Sequence, residues 1–118
     1  MALRTYEQYI DSLKKMRSNI YKFDQLIEDV TMHPATRRTV EGHSKSFRLY
    51  DDPKEHDIFV TKSHLTAEPI SRYLSIIRAP EDMYANSRMK RRMFQLTGTC
   101  TGGRCVGWTA INSMFVTT

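Results

Sequence analysis

Apolar and polar positions along this chain follow two different periods, and the switches between them sketch its elements. Tyr6, Tyr9, Ile10, Leu13 and Met16 recur at helical spacing, which predicts an amphipathic helix over roughly 6–17. Thr5 followed by Gln8 supplies both partners of a capping box, in which side-chain and backbone groups at a helix start satisfy each other. Ser18-Asn19 then interrupts the pattern. Two short aromatic or β-branched runs, 20–23 and 26–30, flank Asp24-Gln25 and predict a small hairpin near 20–30, although that polar pair lacks the glycine tight turns favour.

His33-Pro34 opens a second helix, because proline is tolerated in a first turn where its missing N–H is not needed. Its apolar stripe (Val40, Phe47, Tyr50) is weak, and Asp51-Asp52-Pro53 closes it and starts a short turn. The stretch 59–79 mixes β-branched residues with Pro69 and reads as extended or irregular, crossing the surface of something larger. Ala79-Pro80-Glu81-Asp82 is a clear helix start, with acids at the positive end of the helix dipole, and predicts a helix over 80–97. A last helix begins near Cys105 with Trp108, Ile111 and Phe115 on one side. The fold class is therefore mainly α, with one small hairpin and an irregular 59–79 stretch. Residues 113–118 stay apolar without a stop signal, which reads as a chain ending inside a larger architecture. Trp108, Ile111 and Phe115 would then form an exposed apolar patch of the kind that marks an interface.

At 118 residues the chain is one domain or part of one. With 40% hydrophobic and 26% charged residues it is neither disordered nor collagen-like. No apolar run approaches the ~18 residues of a membrane span. The N-terminus lacks the apolar core of a secretory signal, and two cysteines make no disulfide framework, so a cytoplasmic location is expected. Charge does change the picture. Residues 1–59 carry ten basic and ten acidic side chains, whereas residues 60–118 carry eight and three, so the whole net charge of +5 sits in the second half. Its densest cluster, Arg88, Lys90, Arg91 and Arg92, suits a phosphate-bearing partner such as nucleic acid, a nucleotide cofactor or coenzyme A, or else a solvated helix face. A small basic helical nucleic-acid binder is the remote alternative, opposed by the absence of a reader motif and of aromatic residues interleaved with the cluster.

The segment from Thr97 to Trp108 is the most distinctive. Cys100 and Cys105 lie five positions apart among small residues and beside Arg104. Thiolates are soft ligands for iron–sulfur clusters, zinc or copper(I), and a neighbouring cation favours the ionised form. On an undistorted helix five positions turn the chain by about 500°, leaving the thiols about 140° apart, so one shared metal requires a loop or a one-residue bulge. Gly102-Gly103 makes either possible; the alternative is two buried cysteines acting as small apolar fillers. His33, His43, His56 and His64 show no metal-type spacing, and neither GxSxG nor GxxxxGK occurs.

Several segments in order, Tyr9-Ile10-Asp11-Ser12-Leu13, Asp29-Val30-Thr31-Met32-His33-Pro34, Thr61-Lys62-Ser63-His64-Leu65 and Arg104-Cys105-Val106-Gly107 leading into Ala110-Ile111-Asn112, carry a resemblance over about 110 residues. They are similar to the N-terminal part of the 4-hydroxyphenylacetate 3-hydroxylase / 4-hydroxybutyryl-CoA dehydratase family. The resemblance implies a larger flavoenzyme: an N-terminal helical domain, here all of 1–118 and apparently truncated, then a central β domain and a C-terminal helical bundle absent from this chain. It further implies FAD, a homo-tetramer and an acyl-CoA or phenolic substrate. In the dehydratase branch two cysteines of this motif, with a histidine and a third cysteine far downstream, hold a [4Fe-4S] cluster. Cys105 matches one ligand and Cys100 the other.

The dehydratase pattern has three residues between these cysteines where this chain has four, and a one-residue insertion at the glycines restores the match. The hydroxylase branch shows an Arg-Ser-Pro-Asp type segment at Arg104-Cys105-Val106-Gly107, so cysteine in place of serine favours the cluster-bearing branch. Arg92 matches an arginine near flavin and substrate (Arg91 if the insertion lies elsewhere), and Arg104 is the second cofactor-side arginine. A glutamine that the dehydratase branch carries between its cysteines is Gly103 here. The resemblance thus implies a flavin- and cluster-dependent acyl-CoA dehydratase, the flavin taking part in one-electron chemistry and the cluster acting as Lewis acid on a leaving hydroxyl. The alternative is a flavin-dependent aromatic hydroxylase without a cluster. Either way the chain alone is expected to be inactive and prone to self-association.

Overall fold

The first helix forms where its capping signal puts it. The computed structural model describes residues 3–98 and 102–117, with the backbone alone at 102–104. In it α1 spans Tyr6–Lys15, the Thr5 hydroxyl accepts from the Gln8 amide at 3.2 Å, and the Gln8 side chain accepts from the Thr5 amide at 3.0 Å. On the same unit Tyr9 stacks on Phe47 with ring centroids 4.6 Å apart, and the Arg48 guanidinium lies 3.9 Å over the Tyr6 ring.

The expected hairpin is present. β1 (Ile20–Lys22) pairs antiparallel with β2 (Gln25–Ile27), setting Ile20 opposite Ile27 and Lys22 opposite Gln25. Its turn is Phe23-Asp24, one residue earlier than the polar pair suggests, and both residues take positive φ (48° and 60°). A two-residue turn of that twist needs two left-handed residues, which this sequence supplies without glycine and at a steric cost.

α2 spans Arg37–Leu49 and starts later than His33-Pro34 predicts. The Asp29 carboxylate takes the Thr31 amide (2.8 Å) and hydroxyl (2.6 Å), and the His33 carbonyl accepts from Thr36 and Arg37, so the proline sits in a run of turns that delivers the chain to the helix. Those two Thr31 donors hold the Asp29 carboxyl below its usual range.

The chain divides into two compact units, Arg4–Arg48 and Leu49–Thr118, the second also taking residues 1–3. In the second unit the 59–79 stretch, expected to be extended or irregular, contains a second hairpin. After the short α3 (His56–Phe59), β3 (Val60–Lys62) pairs antiparallel with β4 (Pro69–Ser71), and a 3-10 turn follows at Arg72–Leu74. Pro69 opens β4 opposite Lys62, at a strand start where a missing N–H is tolerated. The 3-10 turn touches α3, α4 (Pro80–Thr97) and α5 (Gly102–Thr117), and its Tyr73 is buried. This segment is the hub of the unit. Around it Phe59, Val60, Met89, Met93 and Trp108 are buried, and the Tyr50 hydroxyl donates to Ser71 at 2.8 Å.

α4 has the predicted bounds. Pro80 opens it, the Asp82 carboxylate accepts from the Arg78 (2.8 Å) and Ala79 (3.1 Å) amides, and Gly98 ends it in the left-handed conformation (φ 70°). α5 begins at Gly102, earlier than expected, so Gly102 and Gly103 are helical. The mainly α class holds. Among the described residues no helix is long and apolar enough to cross a membrane.

Candidate functional site

Of the four residues singled out by sequence, Arg92 is the most fully defined. It sits on α4 and grips Glu55, which precedes α3: the Arg92 Nε lies 3.0 Å from each Glu55 carboxylate oxygen, and Nη2 closes a further short contact to Oε1. Glu55 is buried while the Arg92 side chain stays 37% exposed. The guanidinium's hydrogen bonds hold the Glu55 carboxyl below its usual range against the opposing effect of burial, and they push Arg92 up. With Nε and Nη2 committed, Nη1 is the edge that Arg92 has left to present. The basic cluster is divided: Lys90 lies 4.6 Å over the Trp108 ring, whereas Arg88 and Arg91 are exposed.

Cys105 is a free, half-buried thiol in the first turns of α5. It lines a shallow hollow with Val106, Thr109, Ala110 and Ser113, all on one stretch of that helix. Cys100 lies outside the described residues, as does the Arg104 side chain. Among the described residues no group of three or more His, Cys, Asp or Glu side chains could hold a metal ion.

α5 is held by polar contacts. The Trp108 indole donates to the Ser75 carbonyl at 2.8 Å and Asn112 Nδ2 donates to the same carbonyl at 3.1 Å, while Asn112 Oδ1 accepts from the Ile77 amide at 2.6 Å. Trp108 is therefore buried, and the predicted exposed patch of Trp108, Ile111 and Phe115 is corrected: Ile111 is half-buried, and Phe115 is 47% exposed with its ring edge-on to His64. The apolar surface left on α5 is instead Val106, Met114, Phe115 and Val116.

Sequence reasoning missed a cleft of about 460 Å³ between the β3–β4 hairpin and the start of α4. Lys62, Arg72 and Arg78 line it against one carboxylate, Asp82, together with Ser63, His64 and the apolar Leu65, Ile70 and Leu74. Arg72 is fixed by donating from Nε to the Ile58 carbonyl (2.8 Å) and from Nη2 to those of Asp57 (2.9 Å) and Val60 (3.1 Å). Burial pulls its basicity down, and Asp82 and Asp57 oppose that. The signal available beforehand was Thr61-Lys62-Ser63-His64-Leu65, one of the segments that carried the resemblance.

The family model described as 4-hydroxyphenylacetate 3-hydroxylase N terminal matches residues 5–118. The 4-hydroxybutyryl-CoA dehydratase/vinylacetyl-CoA-Delta-isomerase of Clostridium aminobutyricum is 35% identical over 116 residues, covering 98% of this chain and 24% of that protein. An oxygen-tolerant archaeal 4-hydroxybutyryl-CoA dehydratase from N. maritimus superimposes with a TM-score of 0.81 at 30% identity, covering 95% of this chain and 22% of that one. The oxygenase component of 4-hydroxyphenylacetate 3-monooxygenase, solved in complex with FAD, shares the fold with a TM-score of 0.68 at 22% identity, over 76% of this chain and 19% of its own. The chain thus spans about a quarter of the length of the dehydratases that it matches. With the match running through both units, this chain belongs to the 4-hydroxyphenylacetate 3-hydroxylase family, in the part that family's model describes as N-terminal.

Proposed function

We propose that the chain is the N-terminal helical domain of a flavin-dependent acyl-CoA dehydratase. The observation that carries this reading is the extent of the dehydratase likeness, 98% of the chain in sequence and 95% in structure. The remaining length would supply the central β domain, the C-terminal helical bundle and the rest of the active site, in a cytoplasmic homo-tetramer. In this reading Arg92 and Arg104 face flavin and substrate, and Cys105 with Cys100 supplies two ligands of a [4Fe-4S] cluster that a histidine and a third cysteine elsewhere complete.

The described residues fit those roles as far as they go. The Cys105 thiol is a soft donor, half-exposed on an outward face of α5 where ligands from another segment can reach it. Glu55 fixes the Arg92 guanidinium, so its remaining N–H edge is held ready for an anionic or carbonyl oxygen. When bound, flavin supplies one-electron chemistry and the cluster a Lewis acid for the leaving hydroxyl. The residues of this chain bind and orient; none of them is the base.

A chimera tests the reading: residues 3–118 replace the aligned segment of the Clostridium aminobutyricum dehydratase and the protein is purified without oxygen. A brown protein with broad visible absorption that dehydrates 4-hydroxybutyryl-CoA is expected, and Cys105→Ser abolishes the broad absorption. A yellow, flavin-only chimera overturns the cluster assignment and favours an aromatic hydroxylase of the same family. Turnover of 4-hydroxybutyryl-CoA by the 118 residues alone would contradict the division of labour.

A further inference from the structure

The cleft between the β3–β4 hairpin and α4 carries an excess of positive charge. Three cations, Lys62, Arg72 and Arg78, line it against Asp82. The Asp82 Oδ2 also accepts from the Arg78 and Ala79 amides, and this single carboxylate faces three cations. Among the described residues none of the three cations forms a salt bridge. Arg72 has a further distinction. Its Nε and Nη2 are tied to three backbone carbonyls, so the guanidinium is locked in place and half-buried, with Asp82 and Asp57 favouring its charge without a direct ion pair. Ser63 adds a directed donor: its oxygen accepts from the Leu65 (3.2 Å) and Thr66 (3.3 Å) amides, which leaves its own hydrogen to donate.

A pre-positioned guanidinium, two exposed cations and a polarised hydroxyl make a site for a multiply charged oxyanion. The volume, about 460 Å³, is that of a small-molecule site and larger than one phosphate needs. Leu65, Ile70 and Leu74 give the same cleft an apolar component suited to a flat ring. We propose that this cleft binds the diphosphate of an adenine-nucleotide tail, Lys62, Arg72, Arg78 and Ser63 taking the phosphate oxygens. The inference stands on the cleft's own groups and rests on the proposed function only for its two sources, a flavin dinucleotide or a coenzyme A thioester, both of which end in that moiety.

Isothermal titration of the 118-residue chain with ADP at low ionic strength, where charge pairing is least screened, tests it. Saturable binding is expected, with adenosine failing to bind. Lys62→Gln combined with Arg78→Gln should weaken ADP by about tenfold or more, as expected for lost charge-assisted hydrogen bonds, while Arg37→Gln combined with Arg38→Gln leaves it unchanged. Both cleft residues are exposed, so folding should survive; acetylation of Lys62 in the unaltered chain, slowed by ADP, gives an independent readout. Displacement of ADP by FAD alone identifies the flavin as the source, and by coenzyme A alone the thioester. No saturable binding, adenosine binding as well as ADP, equal weakening in the control variant, unprotected Lys62, or displacement by neither compound overturns the proposal. A cleft that ignores ADP leaves the dehydratase reading standing, because the chimera's visible spectrum judges that separately.

Discussion

α4 and α5 invert the usual relation between composition and burial. α4 is rich in charge, with Arg88, Lys90, Arg91 and Arg92 in its middle, yet it buries Asn86, Met89 and Met93 and is capped at both ends. α5 is the most apolar helix by sequence, yet among its described side chains only Trp108 is buried, and Val116 is 83% exposed. What separates them is the partner. α4 is covered by α3 and the 3-10 turn, whereas α5 packs on that turn and is tied by Trp108 and Asn112 to Ser75 and Ile77 just beyond it. Apolar composition records what a helix is suited to bury; what it does bury depends on what lies against it.

Truncating the two helices should expose that difference most sharply. Met89→Ala, at a fully buried position, should cost about 2–5 kcal/mol in chemical denaturation, whereas Val106→Ala on α5 should stay within about 0.5 kcal/mol of the parent. Equal losses would break the comparison. Asn112→Ala comes next: it leaves the Ile77 amide without its acceptor, and about 1–3 kcal/mol should be lost although the residue carries no apolar burial. Gly98→Ala forces a side chain into the left-handed cap of α4 and should cost about 1 kcal/mol, with no steric clash to add to it.

The Glu55–Arg92 pair gives the contrast a pH dependence. Because the Glu55 carboxyl is held below its unfolded value, the native state binds fewer protons than the unfolded chain. Its contribution is therefore complete above the ordinary carboxylate range and lost as pH falls through the folded value. Glu55→Gln should flatten that acid limb of a stability–pH curve while leaving the neutral-to-basic limb parallel to the parent. An unchanged acid limb would mean that the pair does not anchor α4.

Elements defined by neighbours in sequence were legible before the structure. The Thr5–Gln8 box and the Ala79-Pro80-Glu81-Asp82 start each close within one helical turn, so residue type alone carried them. The β3–β4 pairing was not legible: its connection is closed by Ala67 in the left-handed region (φ 59°), a residue that signals no turn, and by a Ser63 amide bonded to the Glu68 carbonyl. Nor was the partner of Arg92, because Glu55 lies 37 residues away and only the fold brings it close. The cleft was hidden for the same reason, its cations being drawn from a hairpin strand, a 3-10 turn and the approach to α4. Trp108 misled because its spacing indicated an apolar face, while its burial comes from a hydrogen bond to Ser75 and a cation above its ring.

Alkylation of Cys105 most directly tests the idea that α5 offers this thiol to a partner from the rest of a larger enzyme. Peptide mass spectrometry should read its rate in the isolated 118-residue chain and in the dehydratase chimera under the same anaerobic conditions. Prompt modification in the first and strong protection in the second is the expected result. Equal rates in the two proteins would contradict it.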